Sequence, residues 1–284
     1  NEQQNSQHQI YQQLKNNTNN TATIKYLITP QANNCIGKSF ELLVKVQPDL
    51  KVTAKQTNIT CNGNTDGNIL VNISGGIPYH LLPQYKILWN GPNGFTSNKT
   101  HINNLQKGNY HLSVADSAGL TLDTTFIIIE PEQIKISLNS INHVSCKGAA
   151  NGNINVDITG GTGNYKYHWT KNSLFFSEFQ HIENLEPALY QLTVTDEFNC
   201  QQASHLFEIT EPDSINIKLA KQINNICYGE KNGSIDVTIE GGTLDYTYQW
   251  KSSNGFVSHE KNISGLAAGI YELTVIDALD CEAH

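Results

Sequence analysis

Cys146-Lys147-Gly148, Gly152, Ile154-Asn155-Val156-Asp157-Ile158, Gly160-Gly161, Tyr165-Lys166-Tyr167-His168-Trp169: this stretch decides the fold, and its pattern occurs three times. The first copy has Cys61, Gly63, Gly67, Ile69/Val71/Ile73, Gly75-Gly76 and Tyr85/Ile87/Trp89. The third has Cys227, Gly229, Gly233, Ile235/Val237/Ile239, Gly241-Gly242 and Tyr246/Tyr248/Trp250. Sixteen residues after each Trp a Leu opens the last part, at Leu105, Leu185 and Leu266. A Tyr-x-Leu-x-Val-x-Asp run follows, from Tyr110, Tyr190 and Tyr271 to Asp116, Asp196 and Asp277. A period of about 80–85 residues marks a tandem array, each copy one folding unit.

Side chains two apart on a strand share a face. Ile-x-Val-x-Ile, Tyr-x-Tyr-x-Trp and Tyr-x-Leu-x-Val therefore each bury one face and wet the other. Nothing repeats at helical spacing. Short alternating strands divided by Gly and Asn turns predict an all-β chain of antiparallel β-sandwiches, immunoglobulin-like or PKD-like, in a row. Asp66-Gly67, Asn151-Gly152 and Asn232-Gly233 precede strands as turn signals. Trp89, Trp169 and Trp250, with Tyr110, Tyr190 and Tyr271, are the expected core, because buried aromatics dominate core energetics.

The ordered set resembles the SprB repeat of giant surface adhesins in gliding bacteria of the Bacteroidota. The closing Asp-x-x-x-Cys, Asp196 to Cys200 and Asp277 to Cys281, belongs to the same pattern. So does the strand ending in Glu-Pro, Phe126 to Pro131 and Phe207 to Pro212. The resemblance covers roughly residues 49–284. It implies a non-enzymatic adhesin segment on the cell surface, outside the outer membrane, exported by the type 9 secretion system and moved by the gliding machinery. Residues 24–48 alternate as strand, turn with Cys35, strand and Pro48, and resemble the closing half of a PKD-like domain. The expected domains are 1–48 PKD-like, 49–131, 132–212 and 213–284, the last stopping before its final strand. Both ends then fall inside domains, and no Met occurs, even at position 1. Both observations predict an interior piece of a longer protein. Residues 1–23 are rich in Asn, Gln and Thr, and such a stretch, if free, is disordered.

Composition narrows the function classes. A net charge of −8 argues against nucleic acid and an anionic membrane surface as partners. No apolar run is long enough to span a bilayer. Surface glycans, other cell-surface proteins and further domains of the same chain are the expected partners. No nucleophile elbow, His-Glu-x-x-His or phosphate-binding loop occurs, so no catalytic residues are expected. No metal or other cofactor is expected either. His101 and His181 share one repeat position, where repeat 3 has Asn262, which suits a strand residue better than a ligand. Asp116, Asp196 and Asp277 end a strand, and each reads as a turn former that accepts backbone amides. Calcium at a joint is the rival reading; it needs about six or more oxygens, and no Asp-x-Asp cluster supplies them.

The turn after the Trp strand carries Phe95, Phe175-Phe176 and Phe256; these are the candidates for exposed contact with a glycan or protein, the alternative being a loop that folds back on the core. Asp116-Ser117-Ala118, Asp123-Thr124-Thr125 and Asp213-Ser214-Ile215 resemble an O-glycosylation signal of this bacterial group, at Ser117, Thr124 and Ser214. Repeat 1 departs from the pattern twice. It has extra residues within Ile77 to Gln84, including two Pro, which predict a longer loop. It also has Leu120 where the other repeats have a closing Cys.

Six Cys without metal-site spacing predict oxidised pairs outside the cytosol. Equal separations of 54 residues favour Cys146–Cys200 and Cys227–Cys281, one staple per complete repeat. Each closed loop is worth about 4 kcal/mol in the chain-entropy model. Cys61 then lacks a local mate, and Cys35 and Cys61 either pair with each other or stay free. The competing scheme is Cys61–Cys200 and Cys146–Cys281. It follows if an odd number of strands separates the two cysteines of a repeat, because they then lie at opposite ends of the sandwich. The segment between Trp169 and Leu185 has room for one strand or two, so both schemes stand.

Overall fold

The computed structural model describes residues 13–18, 20–32 and 35–284. The turn expected at Asn33-Asn34 and most of the polar run over residues 1–23 lie outside them. Among the described residues the chain is all β, apart from one 3-10 turn, Pro92–Gly94. Two compact units form, Asn1–Glu132 and Gln133–His284.

In the second unit, the alternating runs become two sandwiches. Repeat 2 has a three-stranded sheet, Lys135–Asn142, Gly152–Thr159 and Ile182–Leu185. Facing it is a sheet of Leu174–Ser177, Lys166–Lys171, Ala188–Thr195 and Gln201–Ala203, with Phe207–Ile209 also paired to Ala188–Thr195. All pairings are antiparallel. This division of strands between two sheets is that of an immunoglobulin-type sandwich. Repeat 3 repeats it: Asn216–Ile223, Gly233–Glu240 and Ile263–Leu266 against Val257–Ser258, Thr247–Ser252, Tyr271–Ile276 and Glu282–Ala283.

In the first unit, repeat 1 has the same two sheets. Lys51–Thr57, Gly67–Ser74 and His101–Leu105 face Thr121–Ile128, Gly108–Ala115, Lys86–Asn90 and Thr96–Ser97. Ahead of it, Ala22–Ile28 pairs in register with Phe40–Val46 as a two-stranded sheet. Leu27, Phe40 and Leu43 on that sheet are exposed.

The cores sit where period-two reading puts them. Ile154, Val156, Trp169, Tyr190, Leu192 and Val194 are completely buried in repeat 2. Each Trp indole donates to a backbone carbonyl ten residues on: Lys99 (2.9 Å), Phe179 (2.9 Å) and Glu260 (3.1 Å). A buried indole N–H needs such a partner. Tyr110, Tyr190 and Tyr271 each donate to the carbonyl four residues back, at Gln106, Glu186 and Ala267. This is a tyrosine corner, the device that closes the turn into that strand in immunoglobulin-type domains. Tyr271 departs from expectation. It is only partly buried, whereas Tyr110 and Tyr190 are enclosed. The reason is local: Ile128 and Ile209 complete the cores of repeats 1 and 2, and the core of repeat 3 holds no counterpart.

Candidate functional site: the oxidised joint between repeats 2 and 3

The second unit contains a covalent link between its two sandwiches. Cys146 Sγ is bonded to Cys281 Sγ at 2.10 Å, with the Cα atoms 5.6 Å apart. The expected intra-repeat pairs, Cys146–Cys200 and Cys227–Cys281, therefore do not form. Two strands, Leu174–Ser177 and Ile182–Leu185, occupy the segment between Trp169 and Leu185. The strand count from Cys146 to Cys200 is thus odd, and the two lie at opposite ends of one sandwich. Disulfide Cα atoms must approach within about 7 Å, so the bond runs between repeats. Cys61 is oxidised as well, and so is Cys200. Cys35 and Cys227 are exposed thiols. The pairing of Cys35 with Cys61 is thereby overturned.

One side of the joint is the Cys-x-Gly turn. Ala149 N donates to Cys146 O (3.0 Å), and Ser145 N donates to the Asn151 side chain (3.0 Å). Gly148 N donates to Glu211 of the Glu-Pro motif (2.8 Å), and Lys147 pairs with the other oxygen of that carboxylate. In repeat 1, Gly63 N donates to Glu130 (3.1 Å), which Lys107 also pairs. Sequence reading treated Glu-Pro as a strand end. Its Glu is an anchor for the cysteine turn, accepting a glycine amide 63 or 67 residues earlier, a separation no local motif can show. The Lys147 ammonium, first of all, holds Glu211 below the ordinary carboxylate range, and the Gly148 amide adds to it.

The other side is the closing loop. Asp277 Oδ1 accepts from Leu279 N and Cys281 N (both 2.9 Å), while Oδ2 accepts from Thr243 N (2.8 Å) after the Gly pair. Asp196 does the same with Phe198, Cys200 and Thr162, and Asp116 with Ala118, Leu120 and Ile77. All three carboxylates are buried. Each locks its own loop and ties it to the Gly pair across the sandwich. The Gly pair is required there: Gly241 and Gly242 both have φ near +70°, and a Cβ on Gly241 would lie 2.2 Å from the Ser214 carbonyl. The turn-forming reading of these Asp residues is the one the geometry favours. Their oxygens are taken by amides, and no group of three metal-ligating side chains occurs among the described residues.

Burial pushes the Asp277 carboxyl up, but the amides of Cys281, Thr243 and Leu279 outweigh it and hold it below the ordinary 3.8. Asp116 behaves alike through Ile77, Leu120, Ala118 and Gly119. The fold therefore stabilises the charged form. That stabilisation is complete above the unfolded value of 3.8 and is lost as pH falls through the folded one. Asp277→Asn is expected to lower stability by about 2–3 kcal/mol at neutral pH. The difference from the parent should shrink at pH values below 3.8, as the folded-state carboxyl titrates. Urea titrations at both pH values measure this, and a gap that widens in acid contradicts the assignment.

The other expected site residues separate into two groups. Phe95, Phe176 and Phe256 are not free contact residues. Each stacks edge-on against its tyrosine corner, on Tyr110, Tyr190 and Tyr271 at 5.3–5.5 Å. Their loop folds back because a ring edge packs favourably on another ring's face. Phe175 is different: it is 61% exposed beside His168, with Leu174 and Phe179 exposed nearby. His181 and Asn262 accept the amides of Val156 (3.4 Å) and Val237 (3.0 Å), and His101 is exposed. Ser117 and Ser214 are exposed, whereas Thr124 lies half-buried in the strand Thr121–Ile128. The extra loop of repeat 1 borders an open surface hollow of about 480 Å³ lined by Tyr79, His80, Leu81, Leu82, Pro83 and Lys86. No helix among the described residues is long and apolar enough to cross a membrane.

The fold and joint define the class: tandem, disulfide-linked β-sandwich repeats of the kind found in extracellular proteins. The sequence profile of the SprB repeat matches residues 53–94, 138–174 and 220–255, and that of a PKD-like domain matches residues 2–50. The chain is a run of three SprB repeats preceded by a PKD-like domain. No curated protein matches it significantly. Among solved structures it is similar to Drosophila OTK extracellular domains 3-5, at 12% identity and a TM-score of 0.25, over 76% of this chain and 89% of that one. It is also similar to the four N-terminal Ig domains of Dscam1 isoform 6.9, at 9% identity and a TM-score of 0.23, over 85% and 75%.

Proposed function

We propose that this chain is a non-catalytic structural and adhesive segment of a large cell-surface protein. On this reading the parent is a mobile adhesin of gliding motility, exported by the type 9 secretion system. The observation that carries the reading is the joint: consecutive SprB repeats are bonded by Cys146–Cys281, and the most regular polar groups serve to fix that joint. A covalent connection between neighbouring beads is what an extracellular stalk under tension requires. Oxidised cysteines also suit a compartment outside the cytosol. Antibody fragments against residues 49–284, carried on beads, are expected to bind intact cells and travel along them. Binding only after permeabilisation would defeat the surface assignment, and stationary beads the gliding one.

A second reading, a glycan-binding module, is favoured by three exposed apolar residues close together in the chain, Leu174, Phe175 and Phe179. It requires saturable glycan binding that Phe175→Ala abolishes without lowering the melting temperature. Phe176→Ala is no test of it, since that ring supports Tyr190. In the remaining case, the stalk of a secreted enzyme, the same joints would carry a catalytic domain elsewhere in the parent.

A further inference from the structure

The first cysteine of every repeat stands in the same turn. In repeat 3, Glu230 N donates to Cys227 O (3.3 Å), as Ala149 N does to Cys146 O and Asn64 N to Cys61 O. Gly229, Gly148 and Gly63 share the same left-handed conformation, φ between 77° and 83°. Cys146 and Cys61 are both oxidised, and Cys227 is an exposed thiol. Its neighbours are a second, independent observation. Ile226 is 90% exposed and Tyr228 107% exposed, where repeat 2 has the polar Ser145 and Lys147. A thiol flanked by two large exposed side chains, in a turn whose two counterparts are both oxidised, is the natural place for a contact of the same kind.

We propose that the Ile226-Cys227-Tyr228 turn is the docking face for the closing Asp-x-x-x-Cys loop of a further SprB repeat, joined to it by a disulfide at Cys227. The established joint supplies the geometry. Cys281 Sγ lies 3.3 Å from the carbonyl of Ser145, and the Leu279 carbonyl 3.9 Å from Cys146 Sγ. The incoming loop sits over Ile226 and Cys227 in the same way. It brings its own half-exposed apolar residue, Leu279 in repeat 3 or Phe198 in repeat 2, to the face that Ile226 and Tyr228 present. A second copy of this chain is a poor occupant, because its closing-loop cysteines, Cys200 and Cys281, are already oxidised. In forming the bond, each thiol gives up its proton and the pair gives two electrons to a disulfide oxidant, which leaves as two thiols. The proposal holds whether the array serves adhesion or another role.

Residues 204–284 can be appended directly after His284, since Glu282-Ala283-His284 correspond to Gln201-Gln202-Ala203. The appended copy carries its own Cys227→Ser change, leaving it one cysteine. The chain is refolded with glutathione disulfide as oxidant. The parent chain has two alkylatable thiols, Cys35 and Cys227. The extended chain is expected to have one, Cys35, and non-reducing peptide mapping should join Cys227 to the C-terminal cysteine. A second extension, residues 204–212 followed by 132–203 with Cys146→Ser, guards against one added repeat failing to fold. Three alkylatable thiols in both extended chains, or a Cys227 bonded to a second molecule, overturns the proposal.

Discussion

Trp169→Ala is expected to lower the stability of the unit Gln133–His284 by about 3–5 kcal/mol. The indole is completely buried, and its ring lies 5.9 Å from that of Phe207 on the closing strand. Truncation removes the largest side chain of the core and orphans the Phe179 carbonyl, which accepts the indole N–H. The second loss can be separated from the first. Trp169→Phe also loses the N–H but keeps much of the apolar area, so it should cost less than Trp169→Ala, roughly the 1–2 kcal/mol of an acceptor left unpaired. Trp250→Ala should cost less than Trp169→Ala, because the core around Trp250 has fewer fully buried partners. Urea denaturation followed by tryptophan fluorescence and circular dichroism measures all three. An unchanged midpoint for Trp169→Ala would mean that the core lies elsewhere.

Removing the joint should be as costly. Cys146 and Cys281 are 135 residues apart. In the chain-entropy model a loop of that length is worth about 5 kcal/mol. The double variant Cys146→Ser/Cys281→Ser is therefore expected to unfold at a clearly lower urea concentration than the parent under oxidising conditions. Repeats 2 and 3 should also melt apart, in two transitions. Identical oxidised and double-variant curves would show that the bond contributes nothing to the folded state. The variant leaves Cys227 as a thiol, so a shift cannot arise from that residue.

Strand positions and cores were legible because burial on a pleated sheet has a period of two, and Ile154/Val156 or Tyr190/Leu192/Val194 state it directly. The joint was not legible, for two physical reasons. The edge strand Leu174–Ser177 carries Leu-Phe-Phe-Ser, with no alternation, since an edge strand with exposed Leu174 and Phe175 has no buried face to record. Without that strand the parity is undefined, and with it the end of the sandwich on which Cys200 falls. Equal spacing of 54 residues then misleads: it reports the repeat period and not proximity. The Asp residues were half legible. Their local turn shows in Asp-x-x-x-Cys, but the third amide, Thr243 for Asp277, comes from 34 residues away. The Phe residues show the reverse failure. A ring in a loop reads as exposed, and only the tyrosine corner beneath it explains why Phe95, Phe176 and Phe256 turn inward.

The sulfur bridge also sets how such a chain carries tension. A pull on a string of ordinary beads passes through every hydrogen-bonded ladder in turn, and the weakest sandwich unravels first. Here force travelling along the backbone meets Cys146 and can cross to Cys281 through a single covalent bond. The residues between them, with the larger part of both repeats, are bypassed. At roughly 3.3–3.6 Å per residue, about 450–490 Å of contour length is held in reserve. While the bond is oxidised that length is out of reach of a pull; once it is reduced, unfolding of the sandwiches can pay it out.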